Sequence, residues 1–244
     1  FGGGIELSLL AAVPKGSGLG TSSILAATLL GTLSDLCGLG WTHDDLCLRT
    51  LVLEQMLGSG GGWQDQIGGL TAGLKRIESR PGLVQRPVVH WLPPTLLADA
   101  LRDRRVLLYY TGLTRVAHNI LGEIVRGIFL NDARRLAVID EIGFAADFAT
   151  QAIQRQEWEG LCEAVRRSWR LNQRLDPGTN PPAVQAIIDT AGPGLAATKL
   201  LGAGGGGYLL LLARDEQTAA DIQTRLTQAP PNARARLVTP SLSA

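Results

Sequence analysis

Three alternating glycines and three hydroxyl residues stand together in Pro14-Lys15-Gly16-Ser17-Gly18-Leu19-Gly20-Thr21-Ser22-Ser23, and the apolar run Ile24-Leu25-Ala26-Ala27-Thr28-Leu29-Leu30 follows at once. Glycines let a backbone fold back and bring its N–H groups close to an anion. A helix that opens just after such a loop aims its unpaired N–H groups and positive dipole end at the same point. The chemistry is phosphate binding, so a nucleotide is the first ligand to consider. Two common phosphate loops are excluded. A P-loop needs lysine where Thr21 follows Gly20, and the dinucleotide fingerprint needs glycine at position 21.

Two carboxylates stand downstream. Asp65 lies in Gly60-Gly61-Gly62-Trp63-Gln64-Asp65-Gln66-Ile67-Gly68-Gly69, a glycine-flanked turn on which an acid meets little steric obstruction. It suits a base or an orienting group, or it caps the next segment. Glu54 lies in the apolar run Leu51-Val52-Leu53-Glu54-Gln55-Met56-Leu57, where an unpaired buried charge is costly, so it reaches solvent or has a partner. A second glycine cluster, Gly202-Ala203-Gly204-Gly205-Gly206-Gly207, satisfies G-x-G-x-x-G but runs into the strand-like Tyr208-Leu209-Leu210-Leu211-Leu212 where a Rossmann helix should open. In Tyr109-Tyr110-Thr111-Gly112-Leu113-Thr114-Arg115, a hydroxyl and a guanidinium fall together where a strand gives way to a helix.

The elements that must position these groups alternate. Residues 5–13 read as a strand leading into the first loop, and 22–36 as the helix after it. Thr42, with Asp44 and Asp45 in the following turn, caps a helix reaching residue 57. Residues 70–77 and 83–91 read as paired strands, and 106–111 as a strand. Helices are expected over 114–130, 132–154 and 157–175, then 183–191 and 216–226, with a strand at 235–238. The class is α+β, with a boundary near 92–95 that divides the chain into 1–94 and 95–244.

Composition bounds the rest. The 244 residues are 45% hydrophobic with a net charge of +1 and no basic stripe, which gives no basis for nucleic acid as a partner. No apolar run approaches the length of a membrane span. Cys37, Cys47 and Cys162 are few and scattered, as suits reduced thiols in a cytoplasmic protein. His43, His90 and His118 lack paired metal-ligand spacing. Trp158 and Trp169 fit a core face, and Arg166, Arg167, Arg170 and Arg174 a solvated one.

The first glycine loop resembles the second motif of the GHMP small-molecule kinases, P-x-G-[SA]-G-L-G-[ST]-S, and Lys199 to Gly207 resembles their third, K-x-x-G-A-G-G-G-G. Gln64-Asp65-Gln66 resembles the G-x-x-D-Q segment of the family's sugar kinases. The segment from Thr111 to Leu121 resembles T-G-x-[TS]-R-x-A-x-x-[IVL]-L of the fucokinase and heptose-phosphate kinase branch. The resemblance implies the GHMP kinase fold, with an N-terminal half like ribosomal protein S5 domain 2 and a ferredoxin-like C-terminal half. It implies ATP bound by Lys15, Gly16, Ser17, Gly18, Leu19, Gly20, Thr21, Ser22 and Ser23, and Mg2+ held by Ser22 and Glu54. Asp65 is implied as the catalytic residue, and Trp63, Thr114, Arg115, Gly204 and Gly205 as the substrate side. The implied reaction is transfer of the ATP γ-phosphoryl group to the anomeric hydroxyl of L-fucose. The alternatives are a heptose-phosphate kinase and a non-catalytic ATP-binding module.

The family's first motif, of the form P-x-R-[VI]-D-[LF]-x-G-G, does not occur in this sequence. The expectation is therefore that the chain continues an N-terminal region holding part of the sugar site. The 244 residues alone should show weak or no kinase activity in a coupled assay with MgATP and L-fucose; robust turnover by the purified chain would contradict this.

Overall fold

The computed structural model of the chain describes residues 3–14, 16–58, 61–80, 82, 86–113, 120–202 and 204–241. They fall into two compact units, one formed by 1–15 with 20–71 and the other by 16–19 with 72–244.

The first unit is helical. Its helices are α1 (Thr21–Cys37), α2 (His43–Met56) and α3 (Gln64–Leu70), and each packs on the other two. As the sequence predicts, α2 opens on Thr42. The Thr42 hydroxyl accepts from the Asp45 N–H at 3.2 Å and the Asp45 carboxylate accepts from the Thr42 N–H at 3.0 Å, a reciprocal cap. The sequence predicts a glycine-flanked turn up to residue 69 and a strand from residue 70, where the structure has a helix. Gly68 and Gly69 make a poor helix there on propensity, and α3 forms because packing decides: a Cβ on Gly69 would lie 2.9 Å from Ile24 Cγ1 of α1.

The strand expected at 5–13 does not form. Those residues pair with no strand among the described residues, and Ile5, Leu7, Leu9 and Leu10 are exposed. Apolar alternation makes a strand only where a neighbour takes its N–H and C=O groups.

The second unit starts with the antiparallel ribbon β1 (Lys75–Glu78) and β2 (Val88–Trp91), then α4 (Thr95–Arg102) and β3 (Val106–Tyr110). Helix α4 is absent from the sequence reading, which took Pro93-Pro94 as a break. Pro94 instead sits just before the first turn, where no N–H is needed. Helices α5 (Ile120–Phe129), α6 (Ala133–Gln154), α7 (Trp158–Leu175) and α8 (Pro182–Ala191) follow, with a 3-10 turn at Pro177–Thr179 before α8. The chain then runs through β4 (Leu195–Leu200), β5 (Tyr208–Ala213), α9 (Glu216–Gln228) and β6 (Arg236–Val238).

Strands β4, β5, β3 and β6 lie in that order in one four-stranded antiparallel sheet. On one face Leu107, Tyr109, Leu209 and Leu211 pack with Val184 and Ile187 of α8 and Ile222 and Leu226 of α9. On the other, Leu212, Ala197, Val106 and Leu210 meet Cys162, Trp158 and Val165 of α7. Burial on both faces explains why β5 reads as an unbroken apolar run rather than an alternating one. Trp169 joins this core, as its position in the sequence suggests. Arg166 and Arg170 pair with Glu163, and Arg174 with Glu141, so these arginines form a charge-matched helix face.

One cation is drawn inward. Lys199 of β4 sets its Nζ 2.6 Å from Ser168 Oγ and 3.1 Å from the Asn172 side-chain oxygen, both on α7, and burial pushes its pKa down to about 8 from 10.5. The unfolded chain therefore holds this proton over a pH range in which the folded chain has released it, so stability rises with pH from about 8 to 10.5. Urea titrations should show wild type gaining up to about 3 kcal/mol over Lys199→Met across that range; a flat difference would contradict it.

Candidate active site

Within the second unit, the glycine turn after β4 is the meeting point of four segments. The Leu201 N–H donates to the Tyr208 carbonyl at 2.9 Å and closes the hairpin, and the Tyr208 N–H donates to the Ser17 carbonyl at 3.0 Å. The Gly207 carbonyl accepts from both the N–H and the hydroxyl of Thr111, at 2.9 and 2.8 Å, and the Gly207 N–H donates to the Leu113 carbonyl at 3.2 Å. The Gly205 N–H donates to the Thr179 carbonyl at 2.9 Å. The first glycine loop, the Thr-Gly segment after β3 and the 3-10 turn are thus each held to the glycine turn through main chain.

Such an interface leaves no room for side chains. A Cβ on Gly18, where φ is +77°, would stand 2.3 Å from the Leu201 carbonyl oxygen, and one on Gly207, φ +89°, 2.3 Å from the Ser17 carbonyl oxygen. Substitution at either position meets backbone, which cannot step aside. Gly204 is packed against Thr179, whose Cγ2 would lie 2.6 Å from an added Cβ.

Within the first unit, the carboxylates find their places around the start of α1. Glu54 of α2 is 8% exposed, and its charge is met by donors. Ser22 Oγ donates to Oε1 at 3.0 Å, Ser23 Oγ lies 3.0 Å from both oxygens, and Gln66 of α3 donates its amide to Oε2. The partner that the sequence demanded for Glu54 is thus a set of three side chains from two other helices. Asp65, one residue before Gln66, is exposed and rests against Gly20: a Cβ on Gly20 would be 3.1 Å from Asp65 Cβ and 3.3 Å from its Cγ. Gly20, with φ +65°, is also the residue from which α1 starts, so the N–H groups of the first turn follow directly on the glycine loop. Trp63, half-buried, immediately precedes α3.

The structure therefore brings Ser22, Ser23, Glu54 and Asp65 together on the first unit. It brings residues 16–18 together with residues 201, 202 and 204–207 and the Thr111-Gly112-Leu113 segment on the second. Lys15, Thr114, Arg115 and His118 lie outside the described residues. Sequence reasoning missed Gln66 and the buried role of Ser23. A charged residue inside an apolar helix announces that donors must exist, but not which residues supply them.

The oxygens of Ser22 and Glu54 fit a magnesium ion. Two neighbouring ligands in an octahedral Mg2+ shell at 2.0–2.1 Å are about 2.9 Å apart, and Ser22 Oγ and Glu54 Oε1 stand 3.0 Å apart. Both are hard oxygen donors, and Mg2+ characteristically takes one or two protein ligands and completes its shell with water and phosphate. The described residues hold no group of three or more histidine, cysteine or carboxylate side chains placed to bind a metal. They also hold no helix long and apolar enough to cross a membrane.

Comparison with known proteins gives a consistent result. Residues 1–73 match the family model for the GHMP kinases N terminal domain, and residues 149–232 the model for GHMP kinases C terminal. The L-fucokinase/L-fucose-1-P guanylyltransferase of Bacteroides fragilis is 50% identical over 243 residues, which is 100% of this chain and 26% of that protein. The bifunctional fucokinase/GDP-fucose pyrophosphorylase of Arabidopsis thaliana is 37% identical over 226 residues, 92% of this chain and 21% of that protein. The chain thus spans about a quarter or less of these relatives. Among solved structures, the Lactococcus lactis galactokinase complexed with galactose superposes with a TM-score of 0.67 at 16% identity, covering 93% of this chain and 66% of that one.

The backbone interface yields a direct test. Gly207→Ala should lower unfolding stability by at least about 2 kcal/mol. Gly38→Ala, with φ +63° but nothing within 4 Å of the added carbon, should cost only about 1 kcal/mol. Equal losses in chemical denaturation would show that close packing at residue 207 is unimportant.

Proposed function

We propose, from the premise that this chain belongs to the GHMP kinase family, that it is the kinase portion of an L-fucokinase-like enzyme. The reaction is transfer of the γ-phosphoryl group of ATP to the anomeric hydroxyl of L-fucose, with the family's two halves divided near residue 94. The observation that carries the reading is the buried Glu54 carboxylate gripped by Ser22 and Ser23 at the start of α1, with Asp65 against Gly20 on the same helical unit. The likeness to two fucokinase-containing proteins, over 100% and 92% of this chain, supports the choice of sugar.

Phosphoryl transfer asks a protein mainly for positioning and charge stabilisation. Residues 15–20 and the first-turn N–H groups at Thr21, Ser22 and Ser23 bind the phosphate oxygens, adding the positive end of the α1 dipole to their hydrogen bonds. Ser22 and Glu54 would hold Mg2+, which neutralises charge on the phosphates when bound. Asp65 accepts a hydrogen bond from the sugar hydroxyl and takes its proton as the oxygen bonds to the γ-phosphorus and the bond to the β-phosphate oxygen breaks, releasing ADP. Its carboxylate is exposed, as a group that must meet a substrate has to be. Trp63, Thr114, Arg115, Gly204 and Gly205 complete the substrate side, with the Trp63 ring stacking on a sugar face.

A panel of sugars with MgATP, run on the intact polypeptide that carries this chain, tests the reading. L-Fucose should be the best acceptor, with phosphate at the anomeric position by phosphorus NMR; preference for a phosphorylated heptose would overturn the assignment. Asp65→Asn should lower kcat by at least about 100-fold with little change in KM for ATP. A variant that keeps full activity would remove Asp65 from the mechanism.

A further inference from the structure

Gln66 is the member of the Glu54 cluster to which neither the phosphate loop nor the acceptor chemistry gives a task. Its side chain is 1% exposed, and its amide nitrogen donates to Glu54 Oε2. The orientation follows from chemistry, because a carboxylate only accepts and the amide must turn its nitrogen toward it. The amide oxygen is then directed into the interior, where it accepts no hydrogen bond among the described residues. An unsatisfied buried oxygen costs about 1–3 kcal/mol, whereas a hydrogen bond to a charged group contributes about 1.5–3 kcal/mol. The side chain is thus accounted for by its hold on Glu54, and an apolar residue of the same size would pack here without the orphaned oxygen.

The two carboxylate oxygens are unequal as a result. Ser23, 1% exposed, lies 3.0 Å from both; what differs is the second partner, the buried Gln66 amide on Oε2 and the exposed Ser22 hydroxyl on Oε1. A serine hydroxyl that donates to a carboxylate still has lone pairs to offer a metal. An amide NH2 has none and cannot yield its place to a cation.

We propose that Gln66 is a positioning residue that sets the cation preference of the site: by holding Oε2 it leaves Glu54 to offer a single oxygen, Oε1 beside Ser22, which favours Mg2+ over Ca2+. Ca2+ takes six to eight oxygens at 2.3–2.6 Å and readily engages both oxygens of one carboxylate, whereas Mg2+ binds carboxylates through few contacts and keeps its waters. Removing the Gln66 donor frees Oε2 and opens the two-oxygen mode that Ca2+ can use. The inference rests on the reading of Ser22 and Glu54 as the metal-binding pair.

The test is metal binding rather than turnover. Mn2+ bound to the intact polypeptide with a non-hydrolysable ATP analogue is followed by electron paramagnetic resonance, and Mg2+ and Ca2+ are titrated against it. Wild type should discriminate against Ca2+ relative to the free metal–nucleotide complexes. Gln66→Met, and Gln66→Asn whose shorter amide falls short of Oε2, should shift the Ca2+ to Mg2+ affinity ratio toward Ca2+ by about tenfold. A ratio unchanged in folded variants would overturn the proposal. So would a wild type that takes Ca2+ as readily as Mg2+, a result that needs no variant. Glu54→Gln separates the two readings. If it leaves the Mn2+ signal intact, the metal-binding pair itself is wrong; if it abolishes the signal while the Gln66 variants keep the wild-type ratio, only the role of Gln66 falls.

Discussion

The arrangement of the helical unit depends on one requirement: a carboxylate that is 8% exposed must have donors. Glu54 sits on α2, two of its donors stand at the start of α1, and the third comes from α3. No pair of these helices can slide without breaking a charged hydrogen bond, and each such bond is worth more than an ordinary one because the acceptor is ionised. The carboxylate therefore fixes where α1 begins relative to α2 and α3. With α1 fixed, the unpaired N–H groups of its first turn are fixed too, and these are the groups proposed to bind phosphate.

The second unit solves a positioning problem with the opposite chemistry. Where the first uses a charge and side-chain donors, the second uses bare backbone. Ser17 and Gly18 approach Leu201 and Gly207 so closely that carbonyl oxygens occupy the space where Cβ atoms would be, at Gly18 and Gly207 alike. Main-chain hydrogen bonds from Tyr208 to Ser17 and from Gly205 to Thr179 then set the register. A contact of this kind has few rotamers to lose and no flexible tips to adjust, so it holds a loop rigidly at low side-chain entropy cost. Rigidity of that sort suits the phosphate-binding role proposed for the loop, in which N–H groups rather than side chains meet the ligand.

What the sequence disclosed follows from these two chemistries. Backbone-only packing can be met by glycine alone, so it leaves a direct trace, and both glycine segments and the strand after the second were legible. Thr42 and Asp45 were legible because a cap is local, its two partners lying three residues apart. Residues 5–13 were misread because alternation records a preference that only a neighbouring strand can realise, and no local pattern reports the neighbour. Helix α3 was missed for a related reason: two of its seven residues are glycines, and contact with Ile24 rather than propensity holds it. The Glu54 cluster lies between these cases. The acid in an apolar run announced that partners must exist, while Ser23 and Gln66, far off in sequence, could not be read from it.

Asp65 and Gln66 show why neighbours in sequence can differ so sharply in task. Successive residues of a helix point about 100° apart, so at the first turn of α3 one side chain can lie against Gly20 in the open while the next turns inward to Glu54. The short helix thus carries an exposed carboxylate and, one step later, the amide that anchors it to the buried one. Any displacement of α3 that moved Asp65 would have to strain the Gln66 hydrogen bond to an ionised acceptor. The exposed acid is consequently held in place by its neighbour, although it makes little use of burial itself. A turn carrying the same residues could place the acid at the surface, but without the neighbouring anchor to Glu54.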